Sequence, residues 1–366
     1  MEENIESSKI VQLAKELERQ KNTKRDFIVL SDQIRTDCHT MENGRKTLFM
    51  YIPKIEESGI ETFGITNHTH SQISDKLKIP KTFYDRLKED YPDLLVNNIN
   101  ELMPEKEKRL VRTLDGNVRA LLSSRYRIID NYDVFFNSLD VVKKLNNQNN
   151  LAIHPLRADL TDTRLYIKLI SESLIDTIFP DKENKGRGDA VNGGIIICNS
   201  EVGNGAFKVM PFMNVIKCTN GMISEDILSR IHLGRDKGIG EITFKEDTLA
   251  SEDETIWLKI RDMIEGTFNP EIFSKWVDKI NDVASIEIEQ PVKAINNIVK
   301  NNNLNKDKVD TLLAEFAKEG YNQWGLSNAI TSVAKTETDY EKQIDMEKLG
   351  AKILTLKVED IIGESN

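Results

Sequence analysis

The sequence is poor in the features that usually give a function away. Its three cysteines, Cys38, Cys198 and Cys218, are too few and too scattered for a disulfide framework. No leader of charged, apolar and small residues opens the chain, so a cytoplasmic setting with reduced thiols is expected. Apolar stretches such as GGIIIC fall far short of the roughly 20 residues that cross a bilayer, and no membrane partner is expected. There is no phosphate loop, no G-x-G-x-x-G after a strand, no H-E-x-x-H, no G-x-S-x-G and no paired C-x-x-C. Gly325-Leu326-Ser327 lacks the second glycine of a nucleophile elbow. These absences argue against familiar hydrolases and nucleotide enzymes and leave the question of enzymatic activity open. No cofactor is called for.

Net positive charge is missing too. The formal charge is −10, which argues against coating duplex nucleic acid by bulk electrostatics. The imbalance is local, however. Residues 1–240 hold 35 acidic and 35 basic side chains, and the acidic excess lies in residues 241–366, with 25 against 15. Between Arg109 and Arg127 five arginines face one acid, Asp115. An anion site is compatible with that distribution.

What is present is a chain of 366 residues, 39% hydrophobic, enough for two domains or one large elaborated one. Residues 1–25 read as a polar helix or loosely held arm with a short periodic run, Ile10, Leu13 and Leu17. FIVL and TLFMYI read as strands. NHTHSQISDKLKIPKTFYDRLKED reads as two short helices around Ile79-Pro80, the first capped by Thr69 or Ser71. RALLSSRYRII, TRLYIKLISES, GGIIICNSE and AFKVMPFMNVIKC alternate as strands, the last two joined through Gly203-Asn204-Gly205 as an antiparallel hairpin. NYDVFFNSLDVVKKL presents Val134, Phe135, Leu139, Val142 and Leu145 on one helical face, with Asn131 as N-cap. After Gly240 the spacing is helical: Ile256, Ile260, Ile264; Ile272, Phe273, Trp276, Val277, Ile280; Leu312, Leu313, Phe316. The expectation is therefore an α+β chain. It has an arm over 1–25, an antiparallel-rich core sheet with packed helices over 26–240, and an acidic, mainly helical region over 241–366.

The basic stretch RALLSSRYRII carries the main candidate site. As an uninterrupted strand it sets Arg119, Leu121, Ser123, Arg125 and Arg127 on one face. Guanidiniums two residues apart stand about 6–7 Å from one another, close to the phosphate repeat of a nucleic-acid strand, and each can grip phosphate oxygens as a fork. Arg112, before the LDGN turn, and Arg157 and Arg164 around the next strand extend the row. Tyr126 or Tyr132 supplies base stacking. The plainer reading is a salt-bridged or solvated sheet face, for which Glu172, Asp159, Asp162 or Glu201 would provide the acids. Other candidates are weaker. His68 and His70, with Cys38 and His39 brought nearby, have metal-ligand chemistry but no standard spacing, and read as polar loop histidines at a helix start. In NSEVG, Glu201 beside Asn199 and Ser200 is either an acid–base or ligand group or, more plainly, a solvated residue in hairpin chemistry. In CTNG, Cys218 and Asn220 end a strand, with Asn220-Gly221 suited to positive φ.

RALLSSRYRIIDNYDVF, the N-S-x-x-G element at Asn199, Ser200 and Gly203, CTNGM at Cys218 to Met222 and the upstream ISDKLKIPKTFYDRL together resemble the domain of unknown function 932 family, phage- or plasmid-like proteins. The resemblance covers about Thr66 to Met222. It implies residence on mobile elements, in a bacterial cytoplasm, and brings no established reaction. Members often carry NSHDG where this chain has NSEVG, so an Asp-based role at that point does not transfer. By analogy of architecture with phage annealing recombinases, the expected function is binding or annealing of single-stranded nucleic acid in phage or plasmid DNA metabolism, with homo-oligomers multiplying a modest site. Two alternatives remain at this stage. One is a metal-dependent nucleotide or phosphoester enzyme built on Glu201, Asn199 and His70. The other is a counter-defence protein whose acidic helical region binds a host factor.

Overall fold

The structure is a computed structural model and describes residues 2–54, 59–103, 106–179, 188–216, 220–223, 229–231, 238–239, 242–243 and 246–363. In chain order the first half runs α1 (Glu2–Thr23), β1 (Arg25–Leu30), β2 (Arg35–Thr40), β3 (Lys46–Pro53), β4 (Ile60–Ile65), α2 (Asn67–Lys76), α3 (Lys81–Asp90), α4 (Pro92–Leu102), β5 (Lys108–Leu114), β6 (Asn117–Ser123) and α5 (Asn131–Asn149). The middle adds β7 (Ile153–Leu160), β8 (Leu165–Ile178), β9 (Asp189–Asn199), β10 (Phe207–Val215), β11 (Asn220–Ile223) and β12 (Ser229–Ile231). The rest of the described chain is largely helical: α6 (Glu246–Thr267), α7 (Pro270–Ala284), α8 (Pro291–Asn301), α9 (Lys308–Glu319), α10 (Gln323–Ala334), α11 (Tyr340–Ile353) and α12 (Val358–Ile362). The class is α+β, as the alternation and the helical spacing predict.

The first sheet has the order β1-β5-β6-β4-β3-β2. Every neighbouring pair is antiparallel except β4 with β6, where Gly64 and Ile65 run parallel to Asn117 and Val118. One face is apolar because alternate residues are: Phe27, Val29, Leu48, Met50, Ile52, Phe63, Val111 and Leu121 pack on Ile73, Tyr84, Leu87, Leu95 and Ile99 of α2, α3 and α4. Met50 and Ile52 are wholly removed from water, worth about 1.5–3 kcal/mol each. α2 begins earlier than its spacing suggests. Thr66 is the cap, its hydroxyl accepting from the Thr69 amide, so NHTH lies inside the helix.

The second sheet is an antiparallel meander, β11-β10-β9-β8-β7, with β12 also paired to β10. The hairpin expected between β9 and β10 forms, Cys198 opposite Lys208 through Val191 opposite Val215. Gly203 sits in the left-handed region at φ +77°, and a Cβ there would press to 2.6 Å from the Leu122 side chain, so the turn is packed against the first sheet. One face of the meander buries Leu165, Ile167, Ile195, Ile197 and Val209 under α1, α5, α6 and α7. Val134, Phe135, Val142 and Leu145 of α5 are buried there, as their spacing predicts, and Leu139 is partly so. The cap of α5 is Asp130, and Asn131 is the first helical residue. α1 is a docked helix: Leu13 and Leu17 join the same core, and Arg19 pairs with Asp115 at 2.7 Å.

The other face of the meander carries Tyr166, Ile170, Ile196 and Phe212 against Tyr340 and Ile344 of α11. Behind it, α8 to α12 enclose their own core of Ile295, Leu312, Phe316, Leu326, Ile330 and Leu349. Lys168 on β8 and Glu347 on α11 meet at 2.9 Å with both side chains buried. The acidic C-terminal helices are thereby bolted to the sheet. Among the described residues no helix is long and apolar enough to cross a membrane.

Candidate nucleic-acid interface

The arginine row is not a surface. β6 stops at Ser123 and the chain turns at Ser124-Arg125, so the alternation that would align Arg119, Arg125 and Arg127 does not continue. Arg112 is fully buried. Its Nε and Nη2 donate to Asp26 at 2.8 and 3.0 Å, Nη2 also to Asp130 at 2.8 Å, and Nη1 to the Glu201 carbonyl at 2.9 Å. Arg119 is a bulge residue, skipped between the pairs Arg112–Ala120 and Thr113–Val118. The bulge turns it toward NSEVG, where it is 8% exposed and ion-paired with Glu201. Arg127 is equally buried and donates to Glu252 at 2.7 Å. Arg157 is tied to Asp159 and lies 4.4 Å over the Tyr340 ring. Arg164 donates to the Asn204 carbonyl at 2.7 Å and to the Tyr166 hydroxyl at 3.1 Å. Only Arg125 of the row is exposed. Tyr126 is no stacking platform, since its hydroxyl donates to the Ser200 carbonyl at 2.7 Å and burial pushes the phenol up to about 12. Tyr132 already packs at a tilt on Phe136 beneath the Lys21 ammonium. The physical reason is distance along the chain. The acids that neutralise Arg112, Arg119 and Arg127 lie 18 to 125 residues away, beyond any local count.

NSEVG is therefore a joint between the two sheets. Glu201 is 5% exposed and not solvated as the hairpin reading predicts. Its Oε1 accepts from the Asn131 amide at 2.5 Å, capping α5, while Oε2 meets Arg119 as an ion pair without hydrogen-bond alignment. Asn199 donates to the Ile129 carbonyl and to Asn131 Oδ1, and the Ser200 hydroxyl accepts from the Asn204 amide. Glu201→Ala is expected to lower unfolding stability by about 3 kcal/mol, because it strands a buried guanidinium and uncaps a helix. Glu201→Gln keeps an acceptor and costs less. Urea unfolding midpoints check both, and an unchanged midpoint for the alanine variant contradicts the joint. Cys218 lies outside the described residues. Asn220 starts β11 opposite Val215, and its side chain is not described.

The histidines and Cys38 do not assemble. His68 meets the Val202 carbonyl, His70 the Tyr84 hydroxyl, Cys38 the Asp93 carboxylate and His39 the Tyr51 hydroxyl. No group of three metal-ligating side chains forms among the described residues.

One surface has the chemistry that the row lacks. On the side of the first sheet away from its helices, strand register sets Arg35 opposite Tyr51, Asp37 opposite Phe49 and His39 opposite Thr47, with Thr62 and Gly64 beside them on β4. Arg35, Asp37, His39, Thr47 and Thr62 are exposed, and Phe49 and Tyr51 are half-buried. The His39 ring lies 5.4 Å from that of Phe49 and 6.3 Å from that of Tyr51. Arg35 donates to the Ile34 carbonyl and pairs with no described carboxylate. TLFMYI holds the only advance sign, aromatics at alternate positions. Both faces of that run are apolar, however, so its sequence does not reveal which one is left bare.

Fold and surface together define an α+β protein of two sheets, locked at their junction by arginine–carboxylate pairs and presenting one open sheet face with aromatic rings. Comparison with models of protein families, with curated proteins and with solved structures finds no match.

Proposed function

We propose that the chain binds single-stranded nucleic acid on the open face of β2, β3 and β4, with bases stacked on Phe49, Tyr51 and His39 and a backbone phosphate against Arg35. The observation that carries this reading is the row of neighbouring rings beside a guanidinium that pairs with no described carboxylate, on an antiparallel surface. Rings at alternate strand positions stand about 6–7 Å apart, within reach of successive splayed bases. Stacking is worth about 1–3 kcal/mol per base and needs no particular sequence. A duplex hides its base faces and would gain little here. The resemblance of the central motifs to phage- and plasmid-like proteins makes DNA metabolism of mobile elements the setting we propose, with self-association a way to string such faces along one strand.

Fluorescence anisotropy with labelled oligothymidine tests this. Saturable binding is expected, weakened about 5- to 150-fold by Tyr51→Ala or Phe49→Ala. Arg125→Glu should matter little. With so few cations on the face, log affinity should fall with log salt at a slope of only about 0.7 to 1.4, since each neutralised phosphate of a single strand contributes roughly 0.7. Absence of binding, or binding indifferent to both ring variants, overturns the reading.

A further inference from the structure

We propose that the cleft at the start of α2 is a phosphate-binding pocket, taking either a phosphate group of the bound strand or a free phosphate ion. Only the first source rests on the reading above. The cleft has a volume of about 820 Å³ and is lined by the β2–β3 turn, the end of β4, the first turn of α2 and the α3–α4 junction. Three independent features converge there.

The first is cationic. Arg45 and Lys88 line the cleft, and neither forms an ion pair with a described residue, whereas Lys46 beside them is held by Asp93. The acids on the rim are Glu89 and Asp90, both exposed, and Asp90 already faces Arg86 at 3.9 Å. The second is the helix itself. Asn67 is the first residue of α2, and its amide is one of the donors that a helix leaves without an internal acceptor. The third is His70, which is 6% exposed and lines the cleft. Its Nδ1 lies 2.8 Å from the Tyr84 hydroxyl, and Nε2 has no acceptor among the described residues. Among the described residues the Tyr84 hydroxyl has no other acceptor for its proton, which favours the tautomer in which it donates to Nδ1 and the ring proton sits on Nε2. Burial, then Lys88 and Lys81, press the His70 pKa down to about 4, so the ring is a neutral donor at pH 7. A neutral histidine N–H, a helix N-terminus and two cations that pair with no described carboxylate, around one cavity, are the groups that hold phosphate oxygens. Thr47 belongs both to this rim and to the open face, two residues from Phe49, so the pocket adjoins one end of the row of rings, around the edge of the sheet from it.

The test follows the histidine ring resonances of the full chain by NMR during titration with inorganic phosphate, against chloride at equal ionic strength. The His70 ring signals should shift and saturate while those of exposed His154 stay put. The double variant Arg45→Glu/Lys88→Glu changes only an exposed and a half-buried side chain and should weaken the response about tenfold or more. A second arm uses oligothymidine with and without a 5′-phosphate, in the native chain and in Tyr51→Ala. Shifts with phosphate and with the strand assign the pocket to the bound strand. Shifts with phosphate alone, persisting in Tyr51→Ala, assign it to a free ion and keep the inference even if the open face binds nothing. No His70 shift with either probe, or a shift unchanged in the double variant, overturns it.

Discussion

Arg112→Ala is expected to cost about 3–5 kcal/mol of unfolding free energy, the range for removing one partner from a buried charge network. The side chain is wholly enclosed and connects four parts of the chain: Asp26 at the start of β1, Asp130 at the cap of α5, the Glu201 carbonyl in NSEVG, and its own strand in the first sheet. Without it Asp26 and the Glu201 carbonyl lose their Arg112 donors and Asp130 is left with Lys24 alone, all partly shielded from water. The effect has a pH signature. Burial works against the Asp130 carboxylate, but Arg112 and Lys24 outweigh it and hold its pKa below the ordinary value. A carboxylate whose folded pKa is depressed contributes stability above its unfolded pKa of about 3.9 and loses it as the pH falls through the folded value. The gap between native and Arg112→Ala midpoints should therefore be full at neutral pH and narrow only in strong acid. Arg125→Ala, on the exposed turn, should stay within about 0.5 kcal/mol. Equal, small effects from the two substitutions would contradict the buried network.

Lys168→Met should cost about 3–5 kcal/mol as well, for a different joint. Lys168 and Glu347 are the charged contact between β8 and α11, and Gln343 also donates to Glu347 at 3.0 Å. Deleting the ammonium leaves a carboxylate enclosed between the sheet and the C-terminal helices. The double variant Lys168→Met/Glu347→Leu should recover most of the loss, because an apolar pair of similar size pays no desolvation cost. Denaturant midpoints of the four proteins form the cycle. Additive losses would mean that the two side chains do not depend on each other and that the C-terminal helices are held mainly by Tyr340 and Ile344.

Much of the fold was legible from local pattern. The apolar β-branched and aromatic runs FIVL, TLFMYI and GGIIIC and the helical spacing of α5 and α6 fix those elements, GGIIIC burying Ile195 and Ile197 on one face of its sheet and Ile196 and Cys198 on the other. The β9–β10 hairpin follows from Gly203 to Gly205. The parallel contact of β4 with β6 has no such signal, since it depends on where α2, α3 and α4 deliver the chain. Arg119 shows why local alternation does not locate the site. Strict alternation assumed a strand through Arg127, whereas a bulge reoriented Arg119 and a turn after Ser123 ended the strand. The neutralising acids, Asp26, Asp130, Glu201 and Glu252, come from other elements brought in by tertiary contact. The guanidiniums hold the protein together instead of facing a polyanion.

Any single strand bound by this chain is expected to lie on Phe49, Tyr51 and His39. Photo-crosslinking a 5-iodouracil oligonucleotide to the full chain, followed by trypsin and mass spectrometry, reads the contact directly. The crosslink is expected on the peptide 47–54, which carries both rings of β3. A crosslink confined to the segment around Arg125, or to the C-terminal helices, would contradict it.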